Sequence, residues 1–347
     1  MRRALLSAGA VAVTVLAAAC GSSGSSSSSS SADAPVTLRL GFLANITHAS
    51  ALVGVDKGFF TQSLGKNVTL SVKIFSTGTE ETTAILAGQL DAAYVGPNPA
   101  TNAWQKSGGT AIKIISGAAS GGASLVVKSG ITSAAQLKGK SLATPSLGNT
   151  QDVALRYWLK QQGLTTTETG GGDVPIKPTT PNSAAVLEFK SGQIAGGWEP
   201  APYDAELVAD GGTRLVNEAS LWPGGKFVTT NLVVTQSFLK AHASVVSGLL
   251  KGQIQANDYI RQNQSAAEQA ANAELTKLTG KGLKSSILAA SFKEITFTDD
   301  PIASSLAADV KHAEAVGLLK PVNLSGIYDL GPLNTLLTAA GEPNVSS

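Results

Sequence analysis

From residue 35 onward the apolar positions follow two rhythms in turn. Residues 36–42, Val-Thr-Leu-Arg-Leu-Gly-Phe, alternate apolar with other side chains, and residues 68–75 do the same, the period of a strand. Residues 80–88 read as a short helix closed by Gly88, leading into a strand at 92–95. Compact apolar runs predict strands at 112–115 and 125–127. A second series follows: strand 141–144, helix 150–162, a strand near 174–177, helix 182–190 and a strand at 193–198. After a strand at 231–235 the period becomes helical over 245–262, 266–278 and 301–317. Such alternation predicts an α/β fold with mostly parallel sheet.

One echo suggests that the pattern is built twice. Leu86-Ala87-Gly88-Gln89-Leu90-Asp91-Ala92-Ala93 ends a helix and starts a strand, as does Lys190-Ser191-Gly192-Gln193-Ile194-Ala195-Gly196-Gly197. Each leads towards a polar segment, Gly96-Pro97-Asn98-Pro99 and Trp198-Glu199-Pro200.

The chain begins differently. Arg2 and Arg3 precede an apolar stretch ending in Ala17-Ala18-Ala19-Cys20, the three-part pattern of a secretory signal over residues 1–19. That stretch is shorter than the roughly 20 residues a membrane span requires. Cys20, the only cysteine, follows the alanines as the lipidated cysteine follows a bacterial lipobox, although Ala17 stands where leucine is commoner. Residues 20–34 would then be a lipidated cysteine and a Gly/Ser tether, too polar to bury any core. With one cysteine, no disulfide within the chain can contribute.

Composition narrows the function. The 347 residues hold 26 Lys+Arg against 24 Asp+Glu, a net charge of +2, with no basic run of the kind nucleic-acid binding needs. The chain is long enough for two lobes. His48, His242 and His312 lie far apart, with no HExxH and no clustered Cys/His set, so no metal site is proposed; His242 and His312 read as surface residues. No GxSxG elbow, GxxxxGK[ST] loop or GxGxxG fingerprint is found, which argues against an enzyme and against a nucleotide cofactor; no cofactor is expected.

What remains is a set of polar loops after strands, where open α/β sheets gather ligands. Ser146-Leu147-Gly148-Asn149-Thr150 opens a helix, whose unpaired N–H groups and partial positive charge can hold an anion without a basic side chain. An ordinary capped helix fits the same residues. Similar loops are Asn45-Ile46-Thr47-His48, Ser76-Thr77-Gly78-Thr79, Gly96-Pro97-Asn98-Pro99 and Ser120-Gly121-Gly122. Trp198 fits either a pocket wall or packing between lobes. Glu199 could meet an ammonium group, cap the helix after it or bond the other lobe.

In these residues the chain resembles the sulfonate/nitrate/taurine-type substrate-binding proteins of ABC importers. The resemblance rests on an ordered series. It runs from Leu40-Gly41-Phe42 to Lys57-Gly58-Phe59-Phe60, then Gly88-Gln89-Leu90-Asp91 and Leu137-Lys138-Gly139-Lys140. Ser146 to Thr150 with Leu155-Arg156, Trp198-Glu199-Pro200 and Leu232-Val233-Val234 complete it. It implies a two-lobed periplasmic-binding-protein-like α/β fold of type II, each lobe a mostly parallel sheet flanked by helices, hinged by two crossover segments. Lobe 1 would take residues 35–125 and 231–347, and lobe 2 residues 126–230. The implied pocket is Asn45, Thr47, His48, Thr77, Gly78, Pro97, Asn98, Gly148, Asn149, Thr150, Trp198 and Glu199. The implied function is capture of a small anionic or zwitterionic solute by a monomer held outside the membrane through Cys20, and delivery to a permease. Ala195 stands where relatives often have aspartate, and Thr229-Thr230-Asn231 lacks a cation suited to nitrate or bicarbonate. Both tilt the expected ligand towards an alkanesulfonate or taurine; nitrate, bicarbonate or a thiamine-precursor-like heterocycle is the alternative, and an exported enzyme on this scaffold the reading from another class.

Overall fold

The computed structural model describes residues 35–179 and 181–347; the signal segment, Cys20 and the Gly/Ser tether lie outside them. The chain starts with β1 (Val36–Leu43), α1 (Ala49–Asp56), α2 (Phe59–Leu64), β2 (Val68–Phe75) and α3 (Gly78–Leu86). β3 (Ala92–Val95), α4 (Pro97–Lys106) and β4 (Ile112–Gly121) follow. The next group is β5 (Ala123–Lys128), β6 (Leu142–Thr144), α5 (Thr150–Gln161), β7 (Ile176–Pro178), α6 (Asn182–Ser191), β8 (Gly196–Pro200), α7 (Tyr203–Ala209) and β9 (Gly212–Asn217). The chain then returns through β10 (Val228–Thr235) to α8 (Gln236–Ala241), α9 (Ala243–Gln262), α10 (Gln264–Thr279), α11 (Ser285–Lys293), β11 (Ile295–Phe297), α12 (Ala303–Ala315) and α13 (Gly331–Ala339).

These strands form two sheets, one per lobe: β11-β4-β10-β3-β1-β2 and β7-β6-β8-β5-β9. The expected parallel character holds for β1 with β2 and β3, and for β6 with β7 and β8. Both sheets are nevertheless mixed, the first also at its edge, where β11 pairs antiparallel with β4. β5 and β10 are the strands by which the chain enters each sheet directly from the other, so they arrive from the opposite end and pair antiparallel with both neighbours. The change of sheet falls at Gly122, between β4 and β5, so the boundary expected at Leu125 lies inside β5 rather than at a strand end. On the return, β10 already begins at Val228, ahead of the expected residue 231.

Alternation explains the burial. Leu38, Leu40 and Phe42 pack with α1, α2, α9 and α10 on one face of the six-stranded sheet, while Leu43 turns to the other with Ile85, Trp104 and Leu306. In the second sheet Leu125 and Val127 meet Leu155 and Leu159 of α5; Val126 meets Phe189 of α6 and Leu207 of α7. Period-2 strands thus serve both faces of a three-layer lobe. Truncating any of these leucines to alanine would cost about 2–5 kcal/mol.

Candidate functional site

A cleft cavity of about 20 Å³ is lined from one lobe by Leu43, Asn45, Thr47, His48, Gly78, Gly96 and Thr229. The other lobe supplies Asn149, Thr150, Gln151, Asn182 and Pro200. Each position follows from topology. The first lobe's parallel strands β1, β2 and β3, and the second lobe's β6 and β7, all end here, and the helix after each begins here. His48 is the N-cap of α1, Gly78 opens α3, Gly96 is the N-cap of α4, Asn149 caps α5 and Asn182 opens α6. Five helix starts therefore converge on one point, each contributing partial positive charge. Three of them, α1, α4 and α6, have no side-chain cap; in α1 the Ala49 N–H already donates to the Ile46 carbonyl, and in α4, where Pro97 and Pro99 lack an N–H, the first donor is that of Asn98.

No lining residue carries a charge near neutral pH. His48 is fully buried, and desolvation pulls its pKa down to about 3, so the ring is neutral. Its Nδ1 accepts from the Leu43 N–H at 3.3 Å, which makes Nε2–H the donor. Thr150 Oγ1 is buried without a hydrogen-bond partner, and so is Asn182 Oδ1. The nearby Arg156 is directed elsewhere: its Nε donates to Asp152 at 2.9 Å and its Nη1 to the Thr167 carbonyl, while Nη2 is buried without a partner; Asp152 also accepts from the Gly148 N–H and from Thr144 Oγ1. Gly96 brings the lobes together; a Cβ there would lie 2.6 Å from Thr150 Oγ1.

A wider cavity of about 520 Å³ adjoins this nest, sharing Asn45 and Asn182 with it. Its wall includes Phe75, Val186, Leu187, Tyr203, Leu275 and Leu283, with Lys190, Glu206 and Lys281 as the charged residues.

Of the residues expected in the pocket, Asn45, Thr47, His48, Gly78, Asn149 and Thr150 line the inner cavity. The other six do not. Thr77 caps α3, its Oγ1 accepting from the Glu80 N–H. Pro97 is not in a loop but in the first turn of α4, where proline's missing N–H costs nothing. Asn98 is buried one residue further on, with no partner for its amide. Gly148 turns the chain at φ +72° and spends its N–H on Asp152. Trp198 belongs to the second lobe's core, packed edge-on to Trp158 and donating from Nε1 to Glu218 at 2.7 Å. Glu199 faces away from Trp198 along the same strand and is wholly buried without a hydrogen bond. Desolvation and the neighbouring Asp204 push its pKa well up, and its carboxyl neither caps α7 nor bonds the other lobe. His312, expected on the surface, is half-buried and stacks on Tyr157 at 3.8 Å.

Residues 31–275 match the NMT1-like family. The chain belongs to that family. Its sequence is 25% identical over 209 residues to a Brucella abortus chain described only as a binding protein; the match covers 58% of this chain and 61% of the length of that relative. Among solved structures, the fold resembles the alkanesulfonate-binding protein SsuA of Xanthomonas axonopodis pv. citri bound to MOPS. There the TM-score is 0.70 and the identity 17%, covering 86% of this chain and 99% of that one. It equally resembles the nitrate-binding protein NrtA of Synechocystis PCC 6803, with TM-score 0.72 and identity 15%, over 89% and 90% of the two chains. At these identities the likeness establishes the two-lobed fold that this NMT1-like chain shares with them.

Proposed function

We propose that this protein is the extracytoplasmic solute-binding component of an ABC importer, and that it captures a small organic anion such as an alkanesulfonate or taurine. The carrying observation is the convergence of five helix starts on a cavity whose lining holds no charged side chain. Helix N-termini hold anions through N–H groups and dipoles, without the desolvation cost of burying a lysine. The adjoining chamber, walled in part by Phe75, Val186, Leu187 and Tyr203, supports an organic anion over nitrate or bicarbonate, because it offers room for a tail. The fold's likeness to sulfonate- and nitrate-binding proteins supports capture of a small anion.

In this reading the signal and Cys20 place a monomeric body outside the cell membrane on a lipid anchor, and a hinge closes the lobes before delivery to the permease. A thermal-shift panel tests the ligand class, because a solute that binds the native state raises its apparent stability. Selective stabilisation by short alkanesulfonates or taurine is expected. Stabilisation by nitrate or bicarbonate alone, or by a pyrimidine vitamin precursor alone, would overturn the assigned solute. The anchor has its own test: Cys20→Ser is expected to release the protein from the membrane fraction, and retention there would contradict it.

A further inference from the structure

A third cavity, about 360 Å³, lies between α5, the turn leading back to β10, and α12. It shares no lining residue with the cleft. Its walls are aromatic: Tyr157 and His312 stack at 3.8 Å, Trp222 stands 5.4 Å from His312, and Trp158 lines the α5 side. Trp222 is held in turn by stacking on Phe227 at 5.5 Å.

One lining residue is out of character with such walls. Glu218 is 1% exposed; one of its oxygens accepts from Trp198, Oε1 lacks a partner in hydrogen-bonding geometry, and the nearby Trp222 indole also favours its charged form. Buried Asp309 on α12 lies close enough for its carboxyl to feel the Glu218 charge, and its Oδ2 is also unpartnered. No lysine or arginine lines the cavity, and neither acid forms an ion pair among the described residues.

Two buried acids without a cation, behind walls whose ring faces are electron-rich, favour positive charge in the space between. We propose that this cavity is a second ligand site, for a small planar aromatic cation that stacks among Tyr157, Trp222 and His312 and donates an N–H to Glu218 Oε1. A flat ring fits walls made of rings. The positive charge then supplies the counter-ion that Glu218 lacks once its proton is lost. The volume is in the range of small-molecule sites. The site stands apart from the cleft, so the assignment does not depend on which anion the cleft holds.

The probes are benzamidinium and benzamide, alike in shape and different in charge, titrated calorimetrically into the whole protein. Saturable binding of benzamidinium is expected, with benzamide at least about tenfold weaker. Glu218→Gln, which keeps the shape and removes the charge, is expected to weaken benzamidinium about tenfold, and Trp222→Leu to weaken it similarly. Trp222 is only partly buried, so that variant carries the test should Glu218→Gln fail to fold. Thr150→Val should leave the affinity unchanged. Equal binding of the two probes, wild-type affinity in both cavity variants, or no saturation would each overturn the assignment.

Discussion

Replacing Thr150 with valine removes one oxygen and keeps the shape, and two of its consequences run in opposite directions. In the ligand-free protein the hydroxyl is buried and bonds to nothing. A buried unpaired polar group costs about 1–3 kcal/mol. Valine at this first helical position should therefore leave stability unchanged or raise it by about 1 kcal/mol. In the liganded protein the same hydroxyl would donate to an anion, and a hydrogen bond to a charged group contributes about 1.5–3 kcal/mol. Its loss should weaken a sulfonate roughly tenfold to a hundredfold. Urea denaturation of the free protein and calorimetric titration with ethanesulfonate read the two quantities separately. A valine variant that is clearly less stable yet binds as the wild type would refute the reasoning, since the hydroxyl would then be serving the fold.

Gly96→Ala places a Cβ 2.6 Å from Thr150 Oγ1 and should weaken the same ligand about tenfold; in a Thr150→Ala background that penalty should largely vanish, a coupling that a double-mutant cycle measures. Trp198→Phe should cost about 2–4 kcal/mol, because the core loses volume and Glu218 loses its indole donor, while ligand affinity stays put; a loss of affinity without a loss of stability would return Trp198 to the pocket wall. Burial raises the Glu218 pKa from 4.5 to about 7, so the folded protein keeps a proton that the unfolded chain gives up, and the stability this brings is full below pH 4.5 and lost as pH rises through 7. Glu218→Gln does not titrate, so its stability relative to wild type should grow by about 3 kcal/mol between those limits; denaturation curves showing a pH-independent difference would contradict the account.

Strand period and helix starts were readable because they are local. Residues 36–42 alternate, and in the structure Leu38, Leu40 and Phe42 share one core. Asn149 before a helical run is a cap signal, and it does cap α5. Pro97-Asn98-Pro99 reads as a turn from its prolines, yet proline suits the first turn of a helix equally well, and the choice was made by packing against the sheet. Trp198 and Glu199 are adjacent in a strand, so alternation alone shows that they cannot face one pocket together. Thr229 lines the cleft although it stands near the start of its strand, where the carboxyl-end rule does not point: β10 runs antiparallel and presents its first residues there. Asn182 had a signal, a helix start directly after a proline at the end of the β7 segment. Gln151 and the meeting of Gly96 with Thr150 had none, because each depends on two lobes approaching in space.

The central claim is that backbone helix starts and neutral side chains, rather than lysines or arginines, hold the anion. A crystal structure of the protein grown with ethanesulfonate tests it most directly. The account predicts the sulfonate oxygens within hydrogen-bonding distance of Thr150 Oγ1, of the Asn98 N–H in α4 and of the first N–H groups of α6, with the ethyl group turned to the wider chamber. A sulfonate seated instead on Lys190 or Lys281 in that outer chamber would contradict it.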